Sequence, residues 1–222
     1  LESEFLKNNK AFRINIDHHQ EPEDFCDLQL VDSNASSTAE LIYRFIRELS
    51  GADTIDLSMA EAIYTGILTD TGSFRFSSTS SETHHIAADL ISKGAKPAEI
   101  HGRVYDSYSA ARLRLLGYAL NDGLSLYTDD QLAIIALDAE TLKQFQFKKG
   151  DTEGLVNYPL SIKSVKVAIL LTEKEGKIKM SFRSKGDLAV NGFAKQHFSG
   201  GGHINAAGGI SSLGMKATLE KL

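Results

Sequence analysis

A second cysteine is missing. Cys26 is the sole thiol in 222 residues, which excludes an internal disulfide and makes a reducing cytoplasm the expected compartment. With no cysteine cluster, structural zinc is excluded too. A long apolar run is also missing: Val167 to Leu171, like every other apolar run in the chain, falls far short of the ~20 residues that span a bilayer. Glu2, Glu4, Lys7 and Lys10 interrupt the N-terminal stretch, so these residues are not expected to read as a signal peptide. Basic residues are outnumbered, 24 Lys and Arg against 29 Asp and Glu, for a formal net charge of -5. That balance excludes a protein that holds nucleic acid mainly by a broad basic face, while a small nucleotide in a locally basic cleft stays open. What is present is ordinary globular usage, 42% hydrophobic and 24% charged, in a length that suits one large or two small domains. The first residue is Leu1 rather than Met, so an interior piece of a longer protein is expected.

The pattern along the chain divides in two. Residues 1 to 10 read as the tail of a helix or a loop, and a loop follows Glu21-Pro22. Phe12 to Ile16 alternates apolar and polar residues and predicts a strand. Leu28 to Val31 is a second short apolar run. Ser37 and Glu40, three apart, predict a capping box that opens an amphipathic helix with Leu41, Ile42, Phe45, Ile46 and Leu49. Ser58 and Glu61 repeat the device before a helix that ends at Thr69-Asp70-Thr71-Gly72. Further helices are expected after Ser80 or Ser81, after Pro97, and from about Ala110 to Leu120 with Leu113, Leu116 and Leu120. Beyond these the strands dominate: Leu124–Tyr127, Leu132–Leu137, 165–171 and 177–183, with a helix near 139–147 and another near 188–197. The expected division is residues 1–108, a connector helix over 109–123, and 124–222, the boundary falling between about 105 and 125.

Two stretches concentrate the chemistry. The strand Ile14-Asn15-Ile16 runs straight into Asp17-His18-His19. A strand that ends in ionisable residues is the usual place for an α/β active site, and neutral imidazole with a neighbouring carboxylate suits a first-row divalent metal. Asp70 has a similar logic in its hydroxyl-rich turn. His84-His85, inside an expected helix, reads as solvated surface. The second stretch is Gly200-Gly201-Gly202-His203. Glycines let backbone amides approach a ligand, and if a helix starts at Ile204 those amides meet an anion at its positive end. Arg183, at the end of an expected strand, adds a group able to clamp a phosphate by two parallel bonds.

Taken in order, Asp17-His18-His19, Thr69-Asp70-Thr71-Gly72 and Gly200-Gly201-Gly202-His203 with Ala206-Ala207-Gly208 resemble the DHH/DHHA1 phosphoesterases. Ala35-Ser36-Ser37-Thr38-Ala39-Glu40 resembles the branch that includes oligoribonucleases, 3'-phosphoadenosine-5'-phosphate phosphatases, cyclic-dinucleotide phosphodiesterases and exopolyphosphatase-related proteins. The resemblance implies an α/β fold: the C-terminal part of a parallel-sheet DHH domain plus a smaller α/β DHHA1 domain with a mixed sheet. It implies a manganese-dependent hydrolase with two Mn²⁺ ions, Mg²⁺ or Co²⁺ being the alternatives. His18 and Asp70 would be metal ligands. Asp17 would orient the site and His19 would face the scissile phosphate, so that Asp17, His18, His19 and Asp70 form the catalytic set. His19, Arg183, Gly201, Gly202 and His203 would bind a nucleotide or short oligonucleotide. A cytoplasmic protein that touches no membrane follows, and a homodimer is compatible with it. Family II inorganic pyrophosphatases share the Asp-His-His core without the glycine-rich second domain, which argues against that activity. The family also carries a histidine with Asp-x-Asp, and a further single Asp, upstream of Asp-His-His. Only 16 residues precede Asp17 and none of them matches. The alternative expectations are a non-catalytic nucleotide- or RNA-binding module and a cyclic-dinucleotide phosphodiesterase.

Overall fold

The structure, a computed structural model, describes residues 10–19 and 26–222. The helix tail or loop expected before residue 10, and the loop expected after Glu21-Pro22, lie outside the described residues. The chain forms two compact units, Leu1–Ser107 and Tyr108–Leu222. No helix among the described residues is long and apolar enough to cross a membrane.

In the first unit, β1 (Ile14–Asp17) lies parallel to β2 (Leu28–Val31), with Ile14 opposite Leu28 and Asp17 opposite Val31. Helix α1 (Thr38–Ser50) starts where the Ser37 hydroxyl accepts the Glu40 N–H at 3.1 Å. The other half of the expected capping box does not form. Glu40 turns inward instead, to Ser36, Arg44 and the Thr83 hydroxyl, because a buried carboxylate needs several donors at once and one N-cap amide cannot supply them. Helix α2 (Leu57–Asp70) is capped by Asp56, which accepts the Met59 N–H at 2.8 Å, and not by Ser58. Asp56 directly precedes the first apolar residue of the helix, and Glu61 pairs with Arg103 at 3.3 Å. Helix α3 (Ser81–Ser92) carries a complete capping box between Ser80 and Thr83, and α4 (Pro97–Tyr105) starts on its proline. The helices enclose Tyr43, Ile63, Ile67, Leu68, Ile86, Leu90 and Ile100. At the α1–α2 crossing a β-carbon on Gly66 would lie 2.6 Å from the Ala39 methyl, so glycine sets how closely the two helices approach.

The second unit is built on a mixed six-stranded sheet. Its strands are β3 (Leu124–Tyr127), β4 (Leu132–Leu137), β5 (Val167–Lys174), β6 (Lys177–Ser184), β7 (Gly201–His203) and β8 (Ala206–Ser211), in the order β3-β4-β5-β6-β8-β7. The pair β4–β5 is parallel and the other pairs are antiparallel. Alternation along the strands serves two cores. Ile134, Ile169, Leu171, Ile178, Met180 and Phe182 face α7 (Val190–His197) and α8 (Met215–Lys221). Ile135, Leu137, Ala168 and Leu170 face α5 (Ala110–Asn121) and the single-turn helix Leu155–Asn157. A short α6 (Ala139–Gln144) adds Leu142 to this second core. The buried side of α5 is Leu115 and Ala119; Leu113, expected to be apolar-facing, is 54% exposed.

Candidate functional site

The first cluster sits at the carboxyl end of β1. The backbone turns after Asp17, and the rings of His18 and His19 meet edge to face with centroids 4.8 Å apart. His18 is nearly buried, and its Nδ1 contacts the Ala35 carbonyl at 3.4 Å. A carbonyl can only accept, so this contact keeps the proton on Nδ1 and the lone pair on Nε2. The Nε2 atom points at Asp70, 3.8 Å from its Oδ2. Asp70 is the last residue of α2, and the turn after it is tightly specified. Thr71 is buried, donates its hydroxyl to the Ile67 carbonyl at 2.7 Å and accepts the Phe74 N–H at 2.9 Å. Gly72 has φ +57, and a β-carbon there would strike the Phe76 ring at 2.5 Å.

Asp17 serves His19 rather than His18. Its Oδ1 accepts the His19 backbone N–H at 3.1 Å and meets His19 Nδ1 at 2.6 Å. Burial pushes the Asp17 carboxyl up, but the hydrogen bonds and charge of His19 and the His18 backbone outweigh it and leave the group below the ordinary carboxylate value. An ionised Asp17 therefore fixes the His19 ring by Nδ1 and turns Nε2 outward.

His18 and Asp70 offer a nitrogen and an oxygen donor at a separation one cation can bridge. That donor set fits a divalent ion such as Mn²⁺, and it supplies part of the shell, since such ions take more than two ligands. The loop that carries Ala35 is fixed from beneath. Glu40, 1% exposed, accepts from Ser36 N at 3.3 Å, Ser36 Oγ at 2.5 Å and Thr83 Oγ1 at 2.9 Å, and binds Arg44. Arg44 also bonds Asp32 at 3.2 Å and Glu82 at 2.9 Å. In sequence, Ser37 and Glu40 signal a helix start only. The adjacent Ser36 is the available sign that the stretch does more.

The second cluster belongs to the second unit. The register sets Arg183 opposite Ala206, which lies opposite His203. Arg183 is half-buried, and its Nη1 donates to the Phe182 carbonyl at 2.9 Å. Burial pulls its guanidinium below the ordinary value, and the field of Glu153 offsets only part of this. A guanidinium stays charged regardless. Among the described residues no carboxylate lies within ion-pair distance of it, so the charge is available to an anion. His84 and His85 lie on α3, and the His84 ring stacks on Phe74 at 5.4 Å.

The glycine run does not precede a helix. Gly201–His203 is an edge strand, and Ile204-Asn205 turns into β8. The alternating small residues of β8 pair with it, which removes the helix-terminus rationale for anion binding. The three glycines also differ in purpose. A β-carbon on Gly200 would sit 2.0 Å from the Gly208 carbonyl, and on Gly202, at φ +139, it would sit 2.5 Å from that of Ala206; on Gly201 it would meet nothing within 4 Å. Gly200→Ala is therefore expected to destabilise the second unit by about 3 kcal/mol or more, and Gly201→Ala by less than ~1 kcal/mol. Urea melts of the two variants check this; equal losses would mean that the hairpin is looser than its geometry. Since the fold leaves room for a side chain at Gly201, its lack of one favours close approach by a ligand.

Known proteins match both units of the chain. A family described as "DHH family, N-terminal domain" matches residues 2–67, and the "DHHA1 domain" matches residues 129–221, together more than half of the chain. The chain is 34% identical to the "Probable bifunctional oligoribonuclease and PAP phosphatase NrnA" of Streptococcus mutans, over 91% of this chain and 64% of that protein. It is 31% identical to the "Bifunctional oligoribonuclease and PAP phosphatase NrnA" of Bacillus subtilis, over 88% of this chain and 61% of that one. The crystal structure of an exopolyphosphatase-related protein from Bacteroides fragilis superposes with TM-score 0.92 at 41% identity, covering 98% of this chain and 64% of the other. The chain thus spans less than two thirds of the length of these relatives.

Proposed function

The chain belongs to the DHH/DHHA1 phosphoesterase family, and from that premise we propose that its protein is a metal-dependent hydrolase of short oligonucleotides or nucleoside bisphosphates of the 3'-phosphoadenosine-5'-phosphate type. The observation that carries the reading is the pairing of His18 Nε2 with Asp70 at 3.8 Å, with the His18 proton held on the far ring nitrogen. His18 and Asp70 would hold Mn²⁺, with the rest of its shell from elsewhere in the protein. When bound, a pair of such ions activates water and neutralises charge on the phosphoryl group.

The chain's own residues do the positioning. Asp17 holds His19 by Nδ1, so that Nε2 reaches a non-bridging oxygen of the scissile phosphate. Arg183 and His203 bind a second phosphate of the substrate, with the backbone of Gly201 and Gly202 close to it. This grip would favour substrates with two or more phosphates over a simple ester. Arg183→Ala should therefore raise KM for nucleotides about 10–100-fold, the loss expected of a charge-assisted hydrogen bond, and should leave turnover of bis-(p-nitrophenyl) phosphate within about twofold. Steady-state kinetics on both substrates checks this. Equal losses on the two would remove Arg183 from the role of a remote clamp.

The reading is tested on the protein at its full encoded length with Mn²⁺, by following product release from 3'-phosphoadenosine-5'-phosphate, a short RNA, a cyclic dinucleotide and pyrophosphate. Turnover of either of the first two, lost in His18→Ala, supports it. Turnover of the cyclic dinucleotide alone would transfer the activity to that substrate. Nucleotide binding with no turnover of any substrate would replace the enzyme by a binding module.

A further inference from the structure

The sheet of the second unit has a face that is core on one side and open on the other. Ile135, Leu137, Ala168 and Leu170 on β4 and β5 are covered by α5 and its neighbours. Farther across β6, β8 and β7 the same face opens: Arg183 and Ser181 are half-buried, while Lys177, Lys179, Gly201, Gly208 and Ile210 are exposed. Along β6 it presents Arg183, Ser181, Lys179 and Lys177 in turn, because alternate residues of a strand share a face. The first three have Ala206, Gly208 and Ile210 on β8 as their register partners. The middle row, Ser181–Gly208–Gly201, has no side chain larger than serine across three strands. It forms the floor of an open groove of about 650 Å³ flanked by Lys179, Lys177 and the half-exposed Ile210.

We infer that this groove is a track for the backbone of a single-stranded oligonucleotide, continuing from the phosphate held at Arg183 along β6 to Lys179 and Lys177. The inference rests on the phosphoesterase reading for its starting point at Arg183. Three observations carry it. First, the chain is acidic overall, with a net charge of -5, yet this strip carries three cations, and among the described residues Lys177 and Lys179 have no carboxylate within 4 Å. The remaining lysine at the groove, Lys174, is paired with Glu175 at the turn, 3.7 Å away. Second, groups two apart on a strand stand about 6.6 Å from each other, comparable to the separation of successive phosphates in an extended strand. Ser181 supplies a hydroxyl donor between Arg183 and Lys179. Third, Gly201 and Gly208 line the floor where the fold would accept a side chain: a β-carbon would meet nothing within 4 Å at Gly201 and only an ordinary 3.7 Å contact at Gly208. A strand of sugar and phosphate needs that clearance, and exposed Ile210 offers an apolar surface to a base.

The track makes strand length a determinant of affinity. The test is fluorescence anisotropy with the full-length protein and labelled RNAs of two and five nucleotides, in excess chelator so that nothing is hydrolysed. The parent should bind the five-nucleotide strand roughly tenfold more tightly than the two-nucleotide strand at low salt. In Lys177→Gln/Lys179→Gln that length gain should vanish. The slope of log affinity against log salt should also fall by about 1.4, because two phosphates are no longer neutralised by lysine. Both positions are exposed, and a melting curve that matches the parent excludes unfolding. A double variant that keeps the length gain and the salt slope overturns the track and leaves the phosphoesterase reading standing. A full-length protein that hydrolyses no nucleotide overturns that reading, while the comparison in chelator still decides the track.

Discussion

His18→Ala is expected to lose about a thousandfold or more in turnover of any phosphoester, roughly 4 kcal/mol of transition-state stabilisation, together with its bound metal. The reason is geometric. Nε2 of His18 is the nitrogen donor aimed at Asp70, and its lone pair is kept outward by the Ala35 carbonyl on the other side of the ring. Alanine supplies no donor, and a water in its place would be one more exchangeable ligand. Asp70→Asn should behave similarly, because an amide oxygen is a weaker ligand for a hard cation than a carboxylate. Asp17→Asn should differ. It leaves both donors in place and disturbs only the hold on His19, so metal content should stay near the parent's while turnover falls about 10–100-fold, the usual cost of losing a partner behind a site group. Metal analysis after gel filtration, set beside steady-state kinetics, separates these cases. Equal metal content in His18→Ala and the parent would remove His18 from the ligand set. Loss of metal in Asp17→Asn would make Asp17 a ligand as well.

The parts of this arrangement that are local in sequence are legible there. Asp17-His18-His19 at the end of an alternating run, the Ser37 cap and the Thr-Asp-Thr-Gly turn can each be read from a few adjacent residues, as can the polar turn Thr128-Asp129-Asp130-Gln131 between the strands expected at Leu124–Tyr127 and Leu132–Leu137, which pair as a hairpin. That turn carries positive φ at Thr128, Asp129 and Asp130. Features set by distant partners cannot be read. Glu40 looks like the second half of a capping box because Ser37 stands three residues before it; only the arrival of Thr83 and Arg44 draws it into the interior. Asp56 displaces Ser58 because the two rank alike as caps, and the packing of α2 decides between them. The glycine run presents the opposite difficulty. Glycine permits every conformation, so its composition does not distinguish a loop before a helix from an edge strand. Pairing with β8 decides it, and that pairing depends on Ala207 and Gly209 fitting beneath. The groove along β6 is invisible in the sequence for a related reason: Lys177, Lys179 and Arg183 become one strip only once the strand and its uncovered face are known.

Glu40→Ala should cost the first unit about 3–5 kcal/mol, the range for removing one partner of a buried ion pair. Glu40 is 1% exposed and accepts from Ser36, Thr83 and Arg44. Its removal leaves two buried hydroxyls and the Ser36 amide short of an acceptor. Arg44 keeps Asp32 and Glu82, but its Nε already lacks a partner, so little remains to compensate. Against a typical total of about 5–15 kcal/mol for a domain, such a loss is a large fraction. Glu40→Gln should cost less, because the amide oxygen still accepts from Thr83 and Ser36, although the amide group turns a donor toward Arg44. Hydrogen exchange resolves the effect by location: amides of α1 and α3 should lose protection, while those of β5 and β6 in the second unit keep theirs. The consequence reaches the site as well. Ser36 adjoins Ala35, whose carbonyl sets the His18 ring, so Glu40→Ala should also bind metal more weakly at temperatures where it is still folded. Protection in α1 and α3 equal to the parent's would mean that the network is solvated in practice. Protection lost with metal affinity unchanged would mean that the Ala35 loop holds its shape without Glu40.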